Sequence, residues 1–334
     1  MAKSVKFVLI IVFTMGLIDC SNNEHKIIPI ENAAKLINTY KITNKDYLLS
    51  DFINDCRVYK DSVLFFSELF SKNLYKYNKL NNILIKIGGY GKGPGEFLMP
   101  GSIAINGDSI FINDMNTPSI QLFDITGKYI KNIIVNGFVT GNSILFSNSK
   151  LYFLNSGTPY EYYITSSDGE KIYKVPKCFT YWNYGIRGLS LESFNHTLYF
   201  MNPYEMKIYY YDITKNVSNS IKIENFEKVF NFEKYYNENI PVQAQKKINT
   251  ENFYVRPINF RKLIVNNKLY FIVSILNERK KFLYNSILDE NGKIAKVIIT
   301  NKMGLLTTYK NIAIFIQSND NGSVNLYEYE FFNL

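Results

Sequence analysis

A short apolar strand pattern recurs six times along this chain, at a spacing that few folds use. The copies are SVLFF from Ser62, SIFIN from Ser109, KLYFL from Lys150, TLYFM from Thr197, KLYFI from Lys268 and NIAIF from Asn311. Their first apolar residues stand 47, 41, 47, 71 and 43 residues apart. Repeats of roughly 40 to 50 residues with four strands each are typical of a β-propeller, so six copies predict an all-β, six-bladed propeller.

The segments around each copy have the patterns of strands and tight turns. An alternating aromatic strand follows each copy, and glycine-containing turns such as ITGK, SDGE and ENGK come after several of these strands. Glycine at such positions supplies the positive φ that a hairpin needs. The chain contains 27 Tyr and 25 Phe, an enrichment that favours pleated sheet over helix. We therefore expect four strands in each blade.

The last repeat is one strand short. After NLYEYEFF only two residues remain, which would leave blade six with a long apolar edge. Either KIIPI from Lys26 or KLINTYKI from Lys35 can supply the missing outer strand. We expect residues 26–334 to form one domain whose last blade is completed by an N-terminal strand, with an insertion at about residues 227–256 between blades four and five.

The first 25 residues have the pattern of an export signal. Two lysines precede an apolar run from Phe7 to Ile18, which is too short to span a bilayer comfortably and suits a signal peptide. The ending LIDC is similar to the lipobox of bacterial lipoproteins, although Asp19 departs from the small residue usual before the cysteine. We predict a signal peptide at residues 1–19, lipidation of Cys20 and a tether at residues 20–25. The protein would then be lipid-anchored in the cell envelope, on the periplasmic or surface side of a bacterial membrane; an ordinary signal peptide is the alternative.

Six of the 18 glycines lie within the fourteen residues GGYGKGPGEFLMPG, from Gly88 to Gly101. Glycine adopts positive φ freely and Pro94 fixes its own φ, so the segment predicts a tightly wound loop between two strands. The predicted structural loop consists of Gly91, Gly93, Pro94, Gly95 and Glu96, in which the Glu96 carboxylate accepts hydrogen bonds from loop N–H groups. A phosphate cradle is the alternative, but no GK[ST] follows and the next element is a strand.

The stretch from Leu48 to Ile134 resembles the six-bladed β-propeller lipoproteins of bacteria, relatives of NHL-repeat proteins. The resemblance rests on LSDFINDCRVY, IGGYGKGPGEF and SIAINGDSIFINDMNTPSIQLFDITGKYIKNI. Gly91 to Glu96 match the G-x-GPGE signature, and Asp124 to Gly127 match a D-x-x-G turn. Later blades retain only the spacing and the apolar pattern. The resemblance implies a propeller at the cell envelope and no particular reaction, because most members carry no assigned activity.

Composition argues against several classes of function. The net charge of +9 is spread along the chain rather than clustered, so we expect no nucleic-acid partner. Only two histidines occur, and the pair Asp51 and Asp55 is interpreted as capping or solvating a strand end, so we expect no catalytic residue, metal or cofactor. Cys56 and Cys178 are interpreted as two buried thiols, with a single disulfide as the alternative.

The predicted site is a binding face. Loops that join the outer strand of one propeller blade to the inner strand of the next open on one side of the disc, and the glycine-rich segment, residues 179–188 and the insertion are all such loops. The candidate ligand-binding residues are Tyr181, Trp182, Tyr184, Arg187 and Arg256. They would suit a carbohydrate, a peptide or an envelope protein, with membrane contact through the lipid anchor only. The alternatives are a lactonase-like hydrolase or lyase with a channel metal, and a structural subunit of an envelope complex.

Overall fold

The computed structural model describes residues 26–43, 53–158, 161–175, 190–202, 206–224, 255–277, 282–300, 303–319 and 323–334. These ranges contain strands and one short 3-10 helix, Ile30–Asn32. No helix in the described ranges has the length and apolar character needed to cross a bilayer. The strands form six radially arranged sheets, and the first strands of neighbouring blades contact one another around the ring. The architecture is therefore the predicted six-bladed β-propeller.

Two strands precede blade one, and the glycine-rich loop separates blades one and two. The preceding strands are β1 (Ile27–Pro29) and β2 (Lys35–Ile42). Blade one consists of β3 (Ile53–Tyr59), β4 (Val63–Glu68), β5 (Asn73–Asn78) and β6 (Ile83–Ile87). The loop contains a short parallel pair, β7 (Gly89–Tyr90) and β8 (Glu96–Phe97). Blade two consists of β9 (Pro100–Asn106), β10 (Ser109–Asp114), β11 (Ser119–Asp124) and β12 (Tyr129–Ile134).

Blades three to six complete the ring. Blade three consists of β13 (Phe138–Ser147), β14 (Lys150–Thr158), β15 (Glu161–Ser166) and β16 (Lys171–Val175). Blade four consists of β17 (Leu191–Phe194), β18 (Thr197–Asn202), β19 (Lys207–Asp212) and β20 (Val217–Lys222). Blade five consists of β21 (Val255–Val265), β22 (Lys268–Asn277), β23 (Phe282–Asp289) and β24 (Ile294–Ile299). Blade six contributes β25 (Gly304–Tyr309), β26 (Ile312–Ser318) and β27 (Val324–Glu330).

The N-terminal segment closes the ring, as predicted. Of the two candidate segments, KLINTYKI forms β2 and pairs antiparallel with β27 as the outer strand of blade six. Strand β1 pairs in parallel with β24 and becomes a fifth strand on blade five. A strand from the start of the chain thus covers the edge that the end of the chain would otherwise leave open.

The recurring pattern and the turn residues occupy the expected places. Each copy of the pattern forms the second strand of its blade, namely β4, β10, β14, β18, β22 and β26. Between third and fourth strands, Gly127 and Gly292 have φ of +99° and +82°, which is the backbone geometry that the ITGK and ENGK turns require.

The core lies between the blades. The described residues form six clusters of buried hydrophobic side chains, and each cluster takes its members from two neighbouring blades. Aromatic pairs recur in these layers, for example Phe97 with Phe123 between blades one and two, at a ring-centroid distance of 5.8 Å. The aromatic richness of the chain therefore serves blade-to-blade packing.

Several predicted features lie partly or wholly outside the described residues. These are the signal peptide, Cys20 and the tether, Cys178, and most of the insertion, whose predicted range overlaps the start of β21 at Val255. Cys56 lies in β3 as a free and fully buried thiol, and burial raises its pKa above the ordinary value.

Candidate functional site

The two faces of the disc carry different connections. One face, here called the loop face, carries the loops from each outer strand to the next inner strand and the loops between second and third strands. The opposite face, here called the turn face, carries the tight turns that join the first strand to the second and the third to the fourth. The glycine-rich segment joins β6 to β9 and therefore belongs to the loop face.

Most of the predicted ligand-binding residues fall outside the described ranges. Tyr181, Trp182, Tyr184 and Arg187 lie within residues 176–189, between β16 and β17. Arg256 lies near the start of β21, where its backbone is paired with Leu276 of β22. Residues 176–189 lie between an outer strand and the next inner strand, and Arg256 lies at the start of an inner strand. The described strands next to both positions therefore have these ends at the loop face.

The described part of the glycine-rich loop is held together by its own carboxylate. The N–H of Gly93 donates to Oε2 of Glu96 at 2.8 Å, and the N–H of Glu96 donates back to the Gly93 carbonyl at 3.0 Å. A Cβ on Gly91 would lie 1.9 Å from the same Oε2, so a side chain there would displace the Glu96 carboxylate from its present position. Gly95 has φ of +80°, a left-handed conformation. Because a carboxylate of the chain already occupies this turn, its geometry favours a structural joint over a phosphate cradle.

Side chains of blade two hold the glycine-rich loop by hydrogen bonds. The Gly95 N–H donates to Oε1 of Gln121 at 3.0 Å. The carboxylate of Asp114 accepts hydrogen bonds from the N–H groups of Leu98 and Met99 at 2.7 and 2.9 Å. Phe97 is fully buried, so the loop is a rigid part of the loop face.

Two aromatic side chains project from the loop face at blade one. Phe70, between β4 and β5, is 68% exposed, and Tyr90 of β7 is 67% exposed. Nζ of Lys72 lies 3.8 Å from the centroid of the Tyr90 ring, a cation–π distance. Exposed aromatic rings and a neighbouring cation are the kind of side chains that we predicted for the binding face. The sequence analysis did not select Phe70, Lys72 or Tyr90 for this role.

Four charged side chains from three inner strands meet in the central channel. Arg261 of β21 places Nη2 2.6 Å from Oδ1 of Asp55 in β3, and Nη1 3.4 Å from Oε1 of Glu192 in β17. Arg57 of β3 places Nη1 3.3 Å from the same Glu192 oxygen and Nη2 3.4 Å from Oδ2 of Asp55. Since blade four is opposite blade one in a ring of six, the contact between Arg57 and Glu192 crosses the channel.

Backbone contacts fix this channel cluster, which comprises Asp55, Arg57, Glu192 and Arg261. Oδ2 of Asp55 accepts the Ile103 N–H at 2.9 Å, and Nε of Arg57 donates to the Ile103 carbonyl at 3.0 Å, which ties blade one to blade two. Next to Arg261, Lys262 donates from Nζ to the Ser193 carbonyl of blade four. The cluster therefore links four blades.

Burial and charge shift the basic groups of the channel in opposite directions. Burial by itself would lower the pKa of the Arg57 guanidinium, but the carboxylates of Asp55 and Glu192 outweigh it and raise that pKa. The pKa of Lys262 is lowered by burial and further by the Arg57 charge, against the opposing effect of Glu192. Lys262 is thus a cation in a poorly compensated position.

The interpretation of Asp55 as a capping or solvated carboxylate was wrong, because its side chain is buried in ion pairs. The signal available in the sequence was a set of charged residues inside inner strands, at Asp55, Arg57, Glu192 and Arg261. Arg261 is 69 residues from Glu192 and 206 residues from Asp55, so sequence spacing alone does not show that these side chains meet.

The described residues contain no group of three or more His, Cys, Asp and Glu side chains placed to hold a metal ion. Both carboxylates of the channel cluster are paired with arginines. His196 lies on the turn face, with Nδ1 3.0 Å from Oδ1 of Asn148 in an exposed contact.

Comparisons with known proteins agree with the fold. A family profile, DUF5128, described as a 6-bladed beta-propeller, matches residues 41–330. A solved protein of Bacteroides fragilis NCTC 9343 is 12% identical, with a TM-score of 0.62 over 93% of this chain and 98% of the other. A DUF4221 family member of Bacteroides vulgatus ATCC 8482 is also 12% identical, with a TM-score of 0.60 over 91% and 100%. At such identities the likeness concerns the fold alone. No curated protein matches the chain.

Proposed function

Because the chain belongs to the DUF5128 family of six-bladed β-propellers, we propose that it is an exported binding module, lipid-anchored in the cell envelope, that captures a ligand on its loop face. The ligand class that suits the face is a carbohydrate, a peptide or a segment of an envelope protein. The rigid disc supplies the scaffold, and the loops supply the contacts.

The proposed address rests on the N-terminal sequence. The apolar run from Phe7 to Ile18 and the LIDC ending at Cys20 have the order of a lipoprotein signal. Strand β1 begins at Ile27, so a tether of residues 20–25 would lead directly to the rim of blade five. The similar protein of Bacteroides fragilis also carries the name of an exported protein.

The convergence of unusual connections on one face carries the proposal. The glycine-rich loop, residues 176–190 and residues 223–254 each connect an outer strand with the next inner strand, so all three leave and enter the ring at the loop face. In the described part of that face, Phe70 and Tyr90 present exposed rings beside Lys72. Aromatic rings with a neighbouring cation bind sugars and peptides by stacking and by charge.

The channel cluster favours binding over metal-assisted hydrolysis. A lactonase-like mechanism needs acids that are free to coordinate a divalent ion. Asp55 and Glu192 instead contact Arg57 and Arg261 at 2.6 to 3.4 Å, so their charge is already compensated.

The test uses the only tryptophan of the chain, Trp182. Full-length protein is titrated with envelope polysaccharides, peptidoglycan fragments and peptides while Trp182 emission and binding heat are recorded. We expect one class of probe to shift the emission with saturation, and Trp182→Ala, Arg187→Ala and Tyr90→Ala to weaken its binding at least tenfold. The matched control is Leu80→Ala, which removes a side chain that is 83% exposed on the turn face. Binding that is unaffected by all three loop-face variants would exclude the proposed site.

A further inference from the structure

The channel holds more positive than negative charge. Within the part of the chain that the structure describes, the cations Arg57, Arg261 and Lys262 stand against the anions Asp55 and Glu192. All five side chains are at least partly buried, and the Arg261 and Asp55 side chains are 1% and 0% exposed. An uncompensated charge in such surroundings is costly, so a single negative charge would stabilise the channel.

Some N–H donors of the two channel arginines have no hydrogen-bond acceptor among the described residues. The Asp55 carboxylate accepts three hydrogen bonds, from Arg261 Nη2, from the Cys56 N–H at 2.8 Å and from the Ile103 N–H. Nη2 of Arg57 and Nε of Arg261 are buried but donate no hydrogen bond within the described ranges, although Arg57 Nη2 keeps its 3.4 Å ionic contact with Asp55. Two guanidinium groups thus retain donor capacity that an acceptor can use.

A third buried donor lies immediately before the inner strand of blade four. Ser190, two residues before Glu192 in the chain, is buried, and its Oγ has no hydrogen-bond partner among the described residues. Ser190 directly precedes β17, the inner strand that carries Glu192. Buried donors without partners are uncommon in proteins and call for a ligand, water or ion.

The choice of basic residue agrees with recognition of an oxyanion or halide. The chain contains only five arginines, Arg57, Arg187, Arg256, Arg261 and Arg279, and two of them are in the channel cluster. Arginine binds anions with a fixed fork of donors and is weakly hydrated, so it suits a buried anion site better than lysine does. The Arg57 side chain as a whole is 19% exposed, whereas its Nη2 atom is buried, so an anion would have to enter the channel to reach that donor.

We propose that the central channel binds a monovalent anion, either an inorganic ion or the carboxylate group of a ligand, in contact with Arg57 and Lys262. This site is separate from the loop-face site and goes beyond the proposed function. The anion would cancel the excess positive charge, accept the free guanidinium N–H and relieve the repulsion between Arg57 and Lys262.

The experiment follows the arginine Nε–H signals of the full-length protein by nitrogen-15 NMR. Sodium acetate and sodium chloride are titrated separately, and the ionic strength is held constant with the bulky HEPES anion. Arg57→Lys and Arg261→Lys identify the two channel signals. We expect these two signals to move with saturation, while the signals of Arg256 and Arg279 stay in place. Saturation with acetate alone assigns the site to a ligand carboxylate, and saturation with chloride as well assigns it to an inorganic ion.

Variants separate this site from general charge effects. Lys262→Met removes one cation that makes a single backbone contact, and we expect it to weaken anion binding at least tenfold. The control is Lys310→Met, which removes a 67% exposed cation paired with Asp61 on the turn face and should leave binding unchanged. Signals that move linearly with salt and in parallel for all arginines would overturn the proposal, and so would a Lys262→Met protein with unchanged affinity.

Discussion

One buried ion pair lies at the ring closure, and we expect its removal to have a large effect. Nζ of Lys79, after β5 of blade one, lies 2.5 Å from Oε1 of Glu328 in β27, and the two side chains are 5% and 2% exposed. Glu328 also accepts hydrogen bonds from Asn38 at 2.8 Å and from Tyr40 at 3.3 Å, both in the closing strand β2. Glu328 thus joins blade six, blade one and the N-terminal strand.

Substitution of Lys79 by Met would leave the Glu328 carboxylate buried with neutral donors only. Breaking a buried ion pair by removal of one partner costs about 3 to 5 kcal/mol, because the remaining charge is uncompensated. We expect Lys79→Met to lower the free energy of unfolding by this amount. The double variant Lys79→Met with Glu328→Gln removes both charges and should be clearly less destabilised than the sum of the two single variants.

Urea unfolding with linear extrapolation measures these differences. The control is again Lys310→Met, because its ion pair with Asp61 is exposed and is worth no more than about 1 kcal/mol. If Lys79→Met costs no more than this control, or if the single and double variants are additive, the closure does not depend on charge compensation at Glu328 and the reasoning fails.

Two further predictions concern the same seam. Deletion of residues 26–45 removes β1, β2 and the buried Ile30 and Ile42, and we expect a loss of more than about 4 kcal/mol together with a lower thermal midpoint; an unchanged midpoint would contradict the closure. Burial first, then the charge of Glu328, raises the pKa of Tyr77 to about 12, whereas a tyrosine in the unfolded chain titrates near 10. Since only the unfolded chain releases this proton between those values, the contribution of Tyr77 to stability should be constant below about pH 10 and fall towards pH 12, and a urea midpoint that stays flat between about pH 10 and pH 12 would refute the assignment.

Local patterns explain why the fold was predictable. The strands β4, β10, β14, β18, β22 and β26 have their own apolar alternation, and Gly127 and Gly292 mark turns that need positive φ. These signals depend on neighbours in the chain, so they can be read without coordinates. The missing fourth strand of the last repeat likewise predicted closure by the N terminus.

The site was predictable only in part. Connectivity identified the loop face, because an outer strand must be followed by a connection to the next inner strand. The exposed rings of Phe70 and Tyr90 were missed, because exposure depends on what the neighbouring blades cover. The choice between KIIPI and KLINTYKI also required coordinates, since either segment has the apolar pattern of an edge strand.

Periodicity and chain order were sufficient to predict the number of blades, the order of the strands and the face on which the connections from outer to inner strands emerge. The long-range ion pairs became visible in the folded chain alone: Arg261 contacts Asp55, 206 residues away, Arg57 contacts Glu192, 135 residues away, and Lys79 contacts Glu328, 249 residues away. Closing the ring brings the inner strands and the terminal blades together. The charged residues that meet there are far apart in the chain, so no periodic sequence pattern predicts their contact.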